Sequence, residues 1–306
     1  LSGLHPGKVT NRFPYEGALV NKDDLARTIM REFGNSAAGS FLQPTYDLQD
    51  EDDLMAFVAD FVQREEAQGE GGAGAGEENI WIVKPTALAR SLGTTVTQSL
   101  ANILRAVDTG PKVAQLYISR PLLWQGRKFD LRFVALLRAA SPPPGTTELY
   151  VYDVFWVRAA QNMYSTNRPS DLEDPHTSLT AMHLLGGEEG THPDHKEFVE
   201  EMRGILARDH PNLSWEDILG RIRSMIRSVF LAASRQQPGM SCPHARAVYG
   251  CDVMLTGDMQ PRLLEVTFSP ANLASSPAFP VQYPSYLDDL FGCLFLGEQK
   301  NVTRLA

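Results

Sequence analysis

A mixed α+β fold is predicted for this chain of 306 residues on three observations. Short β-branched or alternating apolar runs read as strands, amphipathic stretches lie between them, and successive strands meet at tight Pro- or Gly-bearing turns. Such turns join antiparallel neighbours, whereas a doubly wound parallel sheet needs crossovers of a dozen residues or more. The length exceeds the roughly 100–200 residues usual for one domain, so several lobes are expected. We place them at 1–79, a small N-terminal lobe ending in a Gly-rich linker, at 80–150, and at 151–306.

Taken in order, Lys22 to Phe33 and Asp53 to Glu66 are predicted helices. The run Asp50-Glu51-Asp52-Asp53 sits where carboxylates favour a helix N-terminus. Gly69 to Gly76 satisfies a G-x-G-x-x-G pattern, but it follows a helix and precedes a strand. A dinucleotide cradle needs the reverse order, so this stretch reads as a linker. Ile80 to Val83 is a buried strand, Thr97 to Ala106 a helix, and Lys112 to Ile118 and Lys128 to Leu137 are strands. The turn Pro142-Pro143-Pro144-Gly145 leads into a strand from Glu148 to Val157, giving a hairpin. Residues 158–212 read as loop-rich. Trp215 to Ala233 spaces Ile218, Ile222, Met225, Ile226 and Val229 on one helical face behind a Ser214 cap. Ala247 to Leu255 with Arg262 to Phe268 forms a second hairpin, and Ser285 to Leu296 a last helix.

A formal net charge of −9 argues against a nucleic-acid or anionic-membrane partner, so any polyanion has to be met by a local basic pocket. Cys242, Cys251 and Cys293 lack the spacing of a disulfide framework or zinc site and fit a reducing compartment. No apolar run approaches the roughly 20 residues that span a bilayer. The expectation is a soluble, cytoplasmic protein, monomeric because no heptad or apolar stripe forces assembly.

Three segments carry charge that a purely structural strand does not need. On Lys128-Phe129-Asp130-Leu131-Arg132-Phe133, alternation puts Lys128, Asp130 and Arg132 on one face. That set suits a polyphosphate with its metal ion; a solvated strand face with internal pairing is the alternative. In the second hairpin Glu265 and Thr267 share a face, and pairing can bring Asp252 beside them. Two carboxylates so placed repel unless a cation or proton intervenes, and hard oxygens suit Mg²⁺. Surface pairing of Asp252 with Arg246 or Arg262 competes with that reading. Lys84, ending the strand Trp81-Ile82-Val83, is within reach of a phosphate or snorkels to water. The histidines show no metalloprotease spacing, and no serine sits in a G-x-S-x-G elbow.

In order, Trp81-Ile82-Val83-Lys84-Pro85, Gln115-Leu116-Tyr117-Ile118, Lys128 to Arg132, and Tyr249 to Asp252 with Leu264 to Pro270 resemble the motif series of the tubulin-tyrosine-ligase-like family. The resemblance runs from about Asn11 to the end and is nearest to a branch with a further N-terminal domain. It implies an ATP-grasp fold, two antiparallel-sheet lobes clasping a nucleotide cleft beside the small N-terminal lobe. The implied chemistry spends ATP to activate a carboxylate, which an amine then attacks to form an amide. By resemblance, Lys84 and Lys128 contact the phosphates, with Asp130 beside them in the nucleotide site. Gln115, Leu116, Tyr117 and Ile118 form the adenine-contacting hinge, and Asp252, Glu265 and Thr267 hold Mg²⁺. Arg132 and Arg158 neutralise developing charge. The implied partners are tubulin or another protein with an acidic tail and, if the chain is active, a free amino acid; microtubules are an implied location. Three departures stand out. Thr267 replaces an Asn of the active members, Arg90-Ser91-Leu92-Gly93-Thr94 keeps one glycine of a Gly-rich loop, and Ser178-Leu179-Thr180-Ala181 replaces His-Leu-Thr-Asn. Losing one preorganised donor costs roughly 10²–10³ in rate, so these changes predict a nucleotide-binding domain with weak or absent ligase turnover that regulates tubulin modification. An active ATP-dependent ligase is the alternative.

Overall fold

The computed structural model describes residues 8–69, 78–86, 92–140, 147–180, 193–270 and 285–306. The helices are α1 (Gly17–Val20), α2 (Lys22–Ala38), α3 (Glu51–Gly69), α4 (Leu100–Val107), α5 (Pro169–Glu173), α6 (Pro175–Ser178), α7 (His195–Asp209), α8 (Trp215–Gln236) and α9 (Tyr286–Phe291). Four strands, β1 (Thr45–Asp47), β2 (Trp81–Pro85), β3 (Thr95–Thr97) and β4 (Lys112–Leu116), form one antiparallel sheet in the order β1-β4-β2-β3. The second sheet contains β5 (Leu123–Trp124), β6 (Arg127–Ala139), β7 (Glu148–Tyr152), β8 (Trp156–Ala159), β9 (Ala247–Leu255), β10 (Pro261–Phe268) and β11 (Val302–Arg304). Its main order is β10-β9-β6-β7-β11, with β5 and β8 also paired to β6, and every pairing is antiparallel. The expected α+β class with antiparallel hairpins is observed.

Each sheet has its own apolar packing. In the first, Trp81 stands edge-on to Phe57 of α3 with ring centres 4.9 Å apart, and Phe61, Ile103 and Leu116 complete the cluster. In the second, Phe129, Leu131, Phe133, Ala135 and Leu137 of β6 pack in one core with Ile218, Ile222, Met225 and Val229 of α8. These are the alternate residues of a strand meeting the i, i+4, i+7, i+11 stripe of a helix. The predicted Ser214 cap starts α8, and Asp217 completes it as a reciprocal capping box.

Sheet membership runs across the expected lobe boundaries. Strand β1, drawn from residues 1–79, pairs with β4, while Phe13, Leu19, Leu25 and Ile29 pack in the core of the second sheet. Strand β6, assigned by sequence to 80–150, is the central strand of that second sheet. Sheet pairing joins segments distant in sequence.

Two local expectations need correction. The single strand predicted from Glu148 to Val157 is two strands, because Val151 lies opposite Ala135 but Trp156 opposite Arg132. Five steps along one chain thus span three along β6, and the surplus at Asp153–Phe155 turns Phe155 into the core, 5.0 Å from Phe133. The segment 158–212 holds α7, fifteen residues long and capped by Asp194. Its buried Phe198, Val199, Met202 and Leu206 are diluted among charged residues, which hid the period. Residues 70–76 of the Gly-rich linker, Arg90, Ser91, the turn Pro142 to Gly145 and Ala181 lie outside the described residues. Among the described residues no helix is long and apolar enough to cross a membrane.

Candidate functional site

Between the two sheets lies a cavity of about 490 Å³, within the usual range of small-molecule sites. Lys84, Gln115, Leu116, Tyr117, Ile118, Lys128, Asp130, Arg132, Arg158, Asp252, Glu265 and Thr267 all line it. The twelve residues to which the resemblance gives a nucleotide, metal or catalytic role thus share one cavity.

Alternation explains how β2 contributes. Trp81 and Val83 are buried in the lobe core, while Ile82 and Lys84 line the cavity. The Lys84 ammonium donates to Gln115 Oε1 at 2.7 Å, and Gln115 Nε2 donates to Thr45 Oγ1 at 2.8 Å. Strand β1 therefore orients the glutamine that orients the lysine. Although part of the Lys84 side chain meets solvent, burial of its ammonium pulls its pKa from 10.5 to about 8, against the attraction of Glu265.

After β4 the chain crosses between sheets at Tyr117 and Ile118. The Tyr117 hydroxyl donates to the Ser178 carbonyl at 2.7 Å. Lys128 lies 3.4 Å from the Tyr117 ring centre and donates to the Ile118 carbonyl at 2.9 Å. Lys128 thus ties β6 to the crossing segment by a cation–π contact and a hydrogen bond.

The second sheet supplies a row of compensated charge. On β6 the even-numbered face is charged at Lys128, Asp130 and Arg132 and becomes apolar at Val134 and Leu136, which pack in a separate cluster. Register sets Asp130 opposite Arg158 and Arg132 opposite Asp252, and Asp252 opposite Glu265 on the far side. Arg158 Nε donates to Asp130 Oδ1 at 2.7 Å, and its NH2 lies 2.6 Å from that oxygen and 2.7 Å from Asp252 Oδ2. Arg132 grips both oxygens of Asp252, its NH2 at 2.7 Å. Gly250 makes room for this, since a Cβ there would stand 3.1 Å from Arg132 Cδ. The competing surface pairing of Asp252 is thus replaced by a buried one.

Electrostatics follow from that geometry. Burial works to raise the Asp252 pKa, but Arg132 and Arg158 outweigh it and hold the carboxyl far below its usual range. Asp130 moves the other way, because burial and the neighbouring Asp252 outweigh Arg158 and the Thr180 hydroxyl that donates to it. Burial disfavours the Arg158 charge, yet the two carboxylates more than offset it and raise its pKa.

Strand β10 bulges at Leu264, where pairing slips between Leu263 and Glu265, so Leu264 and Glu265 both reach the cavity. The Thr267 hydroxyl donates to Glu265 Oε1 at 3.4 Å. Lys22, the first residue of α2, was not foreseen; its ammonium lies 3.6 Å from Glu265 Oε2. A lysine at the start of an amphipathic helix reads as surface charge, and nothing local marks it as part of a site. Thr45 was missed for the same reason.

Charge balance tests which groups the cavity fits. Among the described residues five cationic side chains (Lys22, Lys84, Lys128, Arg132, Arg158) face three carboxylates (Asp130, Asp252, Glu265), which suits a polyanion such as a nucleoside triphosphate. A protein-held magnesium ion fits poorly. Both oxygens of Asp252 are taken by guanidinium groups, and an ammonium lies 3.6 Å from Glu265.

A sequence profile described as the Tubulin-tyrosine ligase family matches residues 3–302. The chain belongs to the tubulin-tyrosine ligase family. It is 35% identical over 313 residues to a Tubulin--tyrosine ligase-like protein 12 of Caenorhabditis briggsae, covering 97% of this chain and 42% of that protein. The human protein of the same description is 34% identical over 322 residues, covering 97% of this chain and 45% of its own length. A Tubulin monoglycylase TTLL3 of Mus musculus is 27% identical over 215 residues, 66% of this chain and 22% of that enzyme. The chain therefore spans less than half the length of the family relatives most similar to it here.

Proposed function

We propose that this chain is an ATP-grasp nucleotide-binding domain that engages tubulin or another acidic-tailed protein and regulates tubulin modification, with weak or absent ligase turnover of its own. The observation that carries this reading is the joint lining of one cavity by Lys84, Lys128 and the Gln115–Ile118 segment, beside arginines already committed to buried carboxylates. Lys84 and Lys128 bind phosphate oxygens as point charges, and Gln115 keeps Lys84 aimed at them. Tyr117 and Ile118 border the base end, with Ile82, Met254 and Leu264 as apolar walls. When bound, ATP supplies the phosphoryl group that activates a carboxylate in this family's chemistry. Arg132 and Arg158 are the groups that would neutralise the charge of such a transfer, but Asp252 and Asp130 already use that charge. A cytoplasmic location with microtubules follows from the partner proposed.

A second reading, an active ligase adding a free amino acid to a protein, is favoured by Arg132, Arg158 and Glu265 sharing the cavity. Two measurements decide. Saturating ATP should stabilise the chain against heat, by about 2.7 kcal/mol at 100 times the Kd; no shift at millimolar nucleotide would remove ATP from both readings. Labelled tyrosine, glutamate or glycine should not enter tubulin, and incorporation abolished by Glu265→Gln would establish the ligase instead.

A further inference from the structure

The hairpin β9–β10 poses an electrostatic problem that the chain solves internally. Asp252 and Glu265 are directly opposed in register, and paired residues of an antiparallel ladder share a face. Two carboxylates so placed repel unless positive charge stands with them. A divalent cation is the usual supplier beside a polyphosphate, binding one or two carboxylates plus phosphate oxygens and water. Here side chains supply the charge. Asp252 is gripped by Arg132 through both oxygens and met by Arg158 at 2.7 Å, while Lys22 stands 3.6 Å from Glu265. Thr267, the remaining oxygen on that face, turns its hydroxyl toward Glu265. A cation seated on Asp252 would have to displace guanidinium groups fixed to the strands, and one seated on Glu265 would meet the Lys22 ammonium. Fixed charges cost no ion recruitment, and Lys84 and Lys128 line the same cavity.

Resting on the nucleotide reading above, we propose that the cavity takes a nucleoside triphosphate without a divalent cation, with Lys22 at Glu265 as the built-in substitute for the ion. Lys22 comes from a helix outside both hairpins, so it can be changed without cutting the buried network of β6, β8 and β9.

The test is calorimetric titration of this chain with ATP in EDTA and in excess magnesium. Dissociation constants agreeing within about threefold are expected, and weakening of about tenfold or more in EDTA would overturn the inference. Lys22→Gln should then weaken ATP in EDTA by about tenfold and restore a response to magnesium at the freed Glu265. An unaltered Lys22→Gln, with its unfolding curve unchanged, would also overturn it. Paramagnetic resonance of added Mn²⁺ gives an independent readout. The nucleotide-free chain should leave the ion free, and a bound signal lost in Glu265→Gln counts against the proposal. Absence of ATP binding in both buffers would instead bring down the nucleotide reading itself, and this inference with it.

Discussion

Across the cavity, β6, β8 and β9 present Arg132, Arg158, Asp130 and Asp252 as a closed set in which each charge has a partner within the sheet. Lys84 of β2, and Lys128 of β6 where that strand meets the crossing segment, donate instead to neutral oxygens, the Gln115 amide and the Ile118 carbonyl. The first arrangement is internally balanced and its groups are held by the fold. The second places two ammonium groups on the cavity lining, each hydrogen-bonded to a neutral oxygen. Burial alone does not separate the two, since Lys128 is as enclosed as Asp252. The identity of the partner atom does.

Arg158→Met gives the sharpest contrast. Removing one member of the closed set leaves Asp130 buried without its guanidinium, so urea denaturation should show a loss of about 3–5 kcal/mol. A loss below about 1 kcal/mol would mean the set is not balanced as described. Lys84→Met should do the opposite, holding or raising stability because an ammonium is no longer desolvated, while weakening ATP binding about tenfold in calorimetry. If it unfolds the chain and leaves ATP affinity intact, the contrast fails. The smallest effect is in pH. The folded Lys84 releases its proton near pH 8 while the unfolded chain keeps it to about 10.5, so the unfolded state binds more protons across that window. Stability of the ligand-free chain should therefore climb from pH 8 towards 10.5, and ATP affinity should fall as pH passes 8. Both slopes should vanish in Lys84→Met, and slopes that persist would assign the titration to another group.

Much of this site was legible because strand alternation is a local rule. Lys128, Asp130 and Arg132 had to share a face, and Glu265 and Thr267 likewise, whatever surrounded them. The hairpin that carries Asp252 to Glu265 was legible from its turn. Other features were not. The break between β7 and β8 depends on a two-residue slip against β6, and α7 hides its period behind charge. Nor is the pairing of Thr45–Asp47 with Val113–Gln115, about seventy residues away, marked by any local pattern.

From sequence came the α+β class and the strand faces, which follow from spacing within one segment; of the twelve residues that share a cavity, Gln115, Leu116, Tyr117, Ile118 and Arg158 were implied by the family resemblance. Tertiary structure decided what those charges do. Whether a carboxylate meets a metal, an arginine or water depends on which distant side chain arrives beside it, and the arrival of Lys22 at Glu265, from more than two hundred positions away, is not encoded in any local pattern.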